Sequence, residues 1–177
     1  MIHQPPTDLQ TISSPWPFVK WGIDIGQRRF LIVVVDYFIK WIEVEPLAKI
    51  MATNVQSFMW KIVCRFRVPH IIMTDNGRQF VDRKLESFLA KLGIKHIINS
   101  VEHPQMNGQT KAANKVILAQ IKKRLSVAKG KWKNKLLEVL WAYRCTPQTS
   151  IGESPYNLTY GTDIMLPIEI GEATMRK

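Results

Sequence analysis

Phe30-Leu31-Ile32-Val33-Val34-Val35 is a run of six apolar residues without a polar interruption. A strand with one wet face alternates polar and apolar side chains, so an unbroken run of this length demands cover on both faces. It falls far short of the roughly 20 residues a membrane helix needs, and no other apolar run in the chain approaches that length. The run therefore predicts a sheet packed above and below. Its neighbours agree. Strands are expected over Lys20-Ile25 and Arg29-Tyr37, followed by Ile39-Leu47. In the last, Trp41, Glu43 and Glu45 alternate with Ile42 and Val44, the pattern of an edge strand with one wet face.

Beyond the meander the periodicity changes. Thr53 and Asn54 offer N-caps to a helix bearing Val55, Phe58, Met59, Ile62, Val63 and Phe66 at helical spacing. It must stop before Val68-Pro69. A strand over His70-Thr74, a helix over Arg83-Leu92 ended by Gly93, and a strand over Ile94-Asn99 follow. Further helices are expected from Gly108 and over Trp132-Tyr143. This order predicts an α/β, ribonuclease H-like architecture: a mixed five-stranded sheet flanked by helices. The expected organisation is an extended, proline-bearing lead-in over 1–19, a core over 20–161 and a tail over 162–177. Ser154 to Gly161 is too polar and aromatic for a linker and should pack back on the domain.

The net charge of +11 is concentrated. Nine basic residues fall between Asn107 and Leu137, with no Asp or Glu among them. Such a run can be a solvated helix face, but uncompensated positives repel one another unless an anionic partner screens them. Phosphate backbone fits, with DNA as the expected partner and RNA the alternative. The two cysteines, Cys64 and Cys145, read as reduced core residues. The four histidines lack ligand spacing. Met1 is followed by a Pro-containing polar stretch instead of a signal peptide. The expectation is an intracellular chain, nuclear or cytoplasmic, with no membrane partner.

Three acids compete for a chemical role. Asp24 sits among apolar residues on a central strand, where an unpaired carboxylate is costly and requires a cation or metal. Asp75 ends a short strand and is followed by Asn76-Gly77, which alone could be turn chemistry. Asp36, before Tyr37-Phe38, reads as a turn or cap.

Ile72-Met73-Thr74-Asp75-Asn76-Gly77, Gly77-Arg78-Gln79-Phe80 and His103-Pro104-Gln105 resemble the catalytic core of retroviral and retrotransposon integrases. Adding Ile2-His3-Gln4-Pro5-Pro6, Trp16-Pro17, Phe38 to Trp41 and Gly152-Glu153-Ser154-Pro155-Tyr156, the resemblance covers nearly the whole chain. It is most similar to integrases of gypsy-type long-terminal-repeat retrotransposons. It implies a triad of acids that binds Mg²⁺ or Mn²⁺ and joins element DNA ends to target DNA, in a homo-oligomer. Asp24 and Asp75 match the first two acids. Asn114 and Lys115 match positions that lie against the element's DNA, and Lys122 and Lys123 continue the basic stripe. No counterpart of the family's N-terminal zinc-binding module or of a C-terminal extension is expected.

Lys111 departs from the pattern. It stands where the family has its Glu, with 35 residues between it and Asp75. At about 4 Å and an effective dielectric near 20, each unit charge pair is worth about 4 kcal/mol. Replacing −1 by +1 beside a divalent ion therefore removes an attraction and adds a repulsion. The metal site of Asp24 and Asp75 is expected to be vestigial, with the Lys111 ammonium filling it. Glu102, nine residues upstream, could substitute only if its loop folded over the site. Two lesser departures are a hairpin about eight residues short, for which Ile25-Gly26-Gln27-Arg28 could supply a two-residue type II′ turn, and Arg67 where a Gly commonly ends the helix. The expected function is an integrase core that keeps nucleic-acid binding while its chemistry is impaired. The alternatives are a non-enzymatic DNA- or RNA-binding module and a residual metal-dependent nuclease.

Overall fold

The computed structural model describes residues 16–26, 31–98, 119, 123 and 132–162. Five strands form one sheet: β1 (Lys20–Gly26), β2 (Leu31–Asp36), β3 (Ile42–Pro46), β4 (Ile71–Thr74) and β5 (Lys95–Ile98), in the order β3-β2-β1-β4-β5. β1, β2 and β3 pair antiparallel, while β4 and β5 run parallel to β1. Four helices are described: α1 (Ala52–Arg65), α2 (Arg83–Lys91), α3 (Trp132–Cys145) and α4 (Pro155–Tyr160).

The apolar run behaves as expected. Ile32 and Val34 join Trp21, Ile23 and Ile25 in a core completed by α1 and α2 through Val55, Phe58, Met59, Ile62, Leu85 and Leu89. On the opposite face Leu31, Val33 and Val35 pack against Leu136, Val139, Leu140 and Tyr143 of α3. Both faces of β2 are thus dry, which is what a strand without alternation requires.

Several local expectations need correction. Phe18 and Val19, read as lead-in, are packed: the Phe18 ring stacks on Trp21 at 5.7 Å and Phe66 at 4.7 Å, and the Val19 carbonyl accepts from His70 and Ile71. Helix α1 begins before Thr53 and Asn54, with Met51 at the N-cap and no side-chain cap. The Asn54 amide instead turns back to the Lys49 carbonyl at 2.7 Å, closing the preceding loop. Gly26 is the last residue of β1, opposite Leu31, and not a turn residue. Cys64 is exposed and Cys145 half-buried, so neither belongs to the core. Arg67 carries no strain, because among the described non-glycine residues only Phe18 and Lys40 have positive φ.

The face of β3 expected to be wet is covered. Trp41 is buried, and the Glu43 carboxylate accepts from its indole at 2.9 Å, from Arg65 of α1 at 2.7 Å and from Arg144 of α3 at 2.9 Å. The Arg144 guanidinium also lies 4.3 Å from the Trp41 ring centroid. Two arginines arriving from different helices make burial of Glu43 affordable, which alternation within one strand cannot reveal. Tyr160 of α4 packs edge-on against Trp41 at 5.8 Å, so Ser154 to Gly161 does fold back on the domain. Its helix follows local signals: Ser154 caps the Asn157 amide at 3.1 Å, Pro155 opens the first turn, and Gly161 ends it at φ +70°.

Asp36 is a cap, as its sequence position suggests. It is fully buried and accepts from the backbone amides of Phe18 (2.9 Å), Phe38 (3.1 Å) and Ile39 (2.8 Å). Burial pushes its carboxyl up to about 6, against the pull of those amides and of Lys40. The folded state therefore holds a proton that the unfolded chain has already released between about pH 4 and 6. Across that window Asp36 should lower stability as pH rises, by an amount on the order of 2–3 kcal/mol. Urea unfolding at both ends of the window checks this. Asp36→Asn should lack that part of the pH dependence, and identical slopes in both proteins would refute it.

Candidate active site

The strand register decides where the two candidate acids stand. Gly22 of β1 lies opposite Met73 of parallel β4. Two residues further along the same direction come Asp24, inside β1, and Asp75, one residue past the end of β4, so continuing the register carries them to neighbouring positions. Side chains alternate along β1. Trp21, Ile23 and Ile25 point to the α1–α2 face, which leaves Gly22 and Asp24 on the α3 face. Asp24 has Val33 as its cross-strand partner, and Val33 belongs to the core under α3.

Each carboxylate is part of a local hydrogen bond. Asp24 Oδ1 accepts from the following amide, Ile25, at 2.8 Å. Asp75 is exposed, and its Oδ1 accepts from Gly77 N at 3.0 Å. A Cβ at 77 would come within 2.3 Å of the Gln79 side-chain amide nitrogen, so a larger residue there would push the Gln79 side chain aside. Turn-making thus leaves the second oxygen of Asp75 available to other partners.

A two-metal centre needs clustered carboxylates around both ions. Among the described residues no group of three His, Cys, Asp or Glu side chains is placed to hold a metal. Asp24 and Asp75 offer two carboxylates, enough to contribute to one hydrated ion and too few for a pair. Lys111, Glu102, Asn114, Lys115 and Lys122 lie outside the described residues. Ala119 and Lys123 are described; both are helical and exposed, four residues apart.

One cluster beside the site was not anticipated. Thr74 Oγ1 donates to the Asp75 carbonyl at 2.9 Å and lies 2.9 Å from His96 Nε2. His96 Nδ1 is 2.7 Å from Glu86 Oε1. No spacing in the sequence joins these residues, because they come from β4, β5 and α2 separately.

The family model for the integrase core domain matches residues 16–104, half of the chain. The chain belongs to the integrase core domain family. Among viral relatives, this integrase core is 30% identical over 154 residues to the Pol polyprotein of feline endogenous virus ECE1, covering 82% of the chain and 15% of the polyprotein. It is 29% identical over 153 residues to the Gag-Pol polyprotein of avian reticuloendotheliosis virus, covering 82% of the chain and 13% of that protein. The integrase core therefore spans a small part of these relatives. The fold also matches solved structures. With the BIV integrase catalytic core domain the TM-score is 0.63 at 20% identity, over 80% of this chain and 93% of that one. With the HTLV-2 integrase catalytic core domain in complex with magnesium it is 0.64 at 20% identity, over 82% and 99%. These likenesses establish the ribonuclease H-like fold expected from the element order. Among the described residues no helix is long and apolar enough to cross a membrane.

Proposed function

We propose that this integrase core derives from a gypsy-type long-terminal-repeat retrotransposon, binds DNA through its basic segment, and is impaired in strand transfer. The reading rests on one juxtaposition. Continuing the β1–β4 register carries Asp24 of β1 and Asp75, the residue after β4, to neighbouring positions, while the next acid of the family pattern is replaced by Lys111. Two carboxylates and an ammonium sum to one negative charge, where three carboxylates would supply three. When bound, a divalent ion would neutralise charge developing on the attacking and leaving oxygens. What remains to the chain's own groups is positioning of phosphate by cations.

Family membership supports DNA as partner, as does the exposed, helical setting of Lys123. Lys111, Lys115 and Lys122 recur at steps of four and seven, the spacing of one helix stripe. The stripe is the proposed DNA surface. Each lysine removed should lower the salt slope of log affinity by about 0.9 for duplex DNA. Lys115→Ala and Lys122→Ala should weaken all sequences alike, because phosphate contacts carry no direct sequence information. An affinity indifferent to salt, or to both substitutions together, would exclude the stripe.

The deciding assay is cleavage and strand transfer on labelled DNA ends with Mg²⁺ or Mn²⁺. Salt-dependent binding without either reaction is expected. Metal-dependent cleavage abolished by Glu102→Gln would favour a residual nuclease using that acid instead.

A further inference from the structure

Thr74 stands at the end of a chain of short side-chain contacts. Strand alternation puts Thr74 with Ile72 on the α1–α2 face, opposite to Met73. A hydroxyl has a single proton to give, and the Thr74 proton goes to the Asp75 carbonyl. The same oxygen lies 2.9 Å from His96 Nε2. His96 Nδ1 in turn lies 2.7 Å from Glu86 Oε1, so the ring bridges the hydroxyl and the carboxylate. Both bonds of the ring are short, and its side chain is only 4% exposed. The negative partner for this buried ring is Glu86, itself half-exposed at 46% and anchored on α2.

We infer that Glu86, His96 and Thr74 form a positioning relay for Asp75, running from α2 through β5 to the end of β4. The relay grips the peptide of Asp75 from one face of the sheet, while its carboxyl serves the other. Thr74 and His96 never touch the site occupant; they act through the backbone that aims the carboxylate. Ile72 is the register partner of His96 on β5, so the ring is seated one pleat behind Thr74, at the height its hydroxyl needs. The consequence for metal binding rests on the proposed reading of Asp24 and Asp75 as ligands.

Two measurements separate the relay from that reading. The first uses the wild-type chain and ¹⁵N and ¹³C NMR. Thr74→Val should shift the His96 Nε2 resonance, and Glu86→Gln that of Nδ1. Thr74→Val, which keeps the shape and removes the hydroxyl, should shift the Asp75 carbonyl resonance, and Thr74→Ser should leave it near its wild-type position. A His96 Nε2 or an Asp75 carbonyl unmoved by Thr74→Val overturns the relay whatever the metal results. The second uses Mn²⁺ alone as probe, in the Lys111→Glu background. There Thr74→Val should weaken Mn²⁺ binding by about 10-fold or more, the usual effect of losing an outer support of a ligand, with Thr74→Ser restoring it. Affinity that stays constant in Thr74→Val, while its metal-free melting temperature falls, assigns the cluster a purely structural role and overturns positioning. If Lys111→Glu itself binds no Mn²⁺, the reading of the site fails, and the NMR comparison alone decides the relay.

Discussion

A Lys111→Glu chain is expected to melt at a temperature that rises with added Mg²⁺ or Mn²⁺, whereas the wild-type transition stays put. The substitution changes the site by two charge units, each pair being worth about 4 kcal/mol at contact distance in a partly screened environment. On the proposed reading of the site, that is enough to turn a cation-repelling position into a third ligand. At a metal concentration a hundredfold above the dissociation constant, the folded state gains about 2.7 kcal/mol. For a domain of this size that corresponds to roughly 5–10 °C. The wild-type protein should also give no strand-transfer product with either ion. Robust transfer by the unmutated chain, or a Lys111→Glu protein whose melting ignores metal, would show that the third position does not control the site.

Glu43→Ala should be the costliest single change at the sheet edge. The carboxylate is the common acceptor for Arg65, Arg144 and the Trp41 indole, and its side chain is nearly buried. Removing it strands the Arg144 guanidinium against Trp41 without a counter-charge and leaves the buried indole N–H unsatisfied. Breaking a buried pair in this way costs about 3 kcal/mol or more, or roughly 6–12 °C in melting temperature for a chain of this length. Arg65→Ala should cost under about 1 kcal/mol, because that arginine is largely in water and Glu43 keeps its other partners. Chemical denaturation of both variants checks the ordering; equal losses would mean that the network does not act through Arg144.

The architecture was legible because it depends on periodicity. Leu31 to Val35 carried the signal for a doubly covered strand, and Val55, Phe58, Met59 and Ile62 carried the helix stripe. What the sequence concealed arises from residues brought together only by folding. Glu43 looked wet because its neighbours in sequence alternate, yet its partners are 22 and 101 positions away. Likewise, the pairing of Thr74 with His96 and Glu86 has no one-dimensional trace. The hairpin shows a subtler limit. A two-residue turn would have set Ile25 opposite Arg28, whereas the observed partner is Ile32. The displacement is four residues, an even number, so every side chain of β1 keeps its face and the misreading did not move Asp24 from its side of the sheet.

Arg144 has a consequence beyond the ion network it joins. Its Nε and Nη2 both donate to the Ile42 carbonyl, at 3.2 and 2.8 Å, on the strand that ends the sheet. Sheet borders with free backbone groups invite strands from other molecules to add on, the route to fibrillar self-association. A planar guanidinium seated on that carbonyl, backed by Trp41 and tethered through α3, occupies a rung that an incoming strand would need. Arg144 therefore blocks strand addition at this rung while its ion pair with Glu43 ties α3 to the same strand.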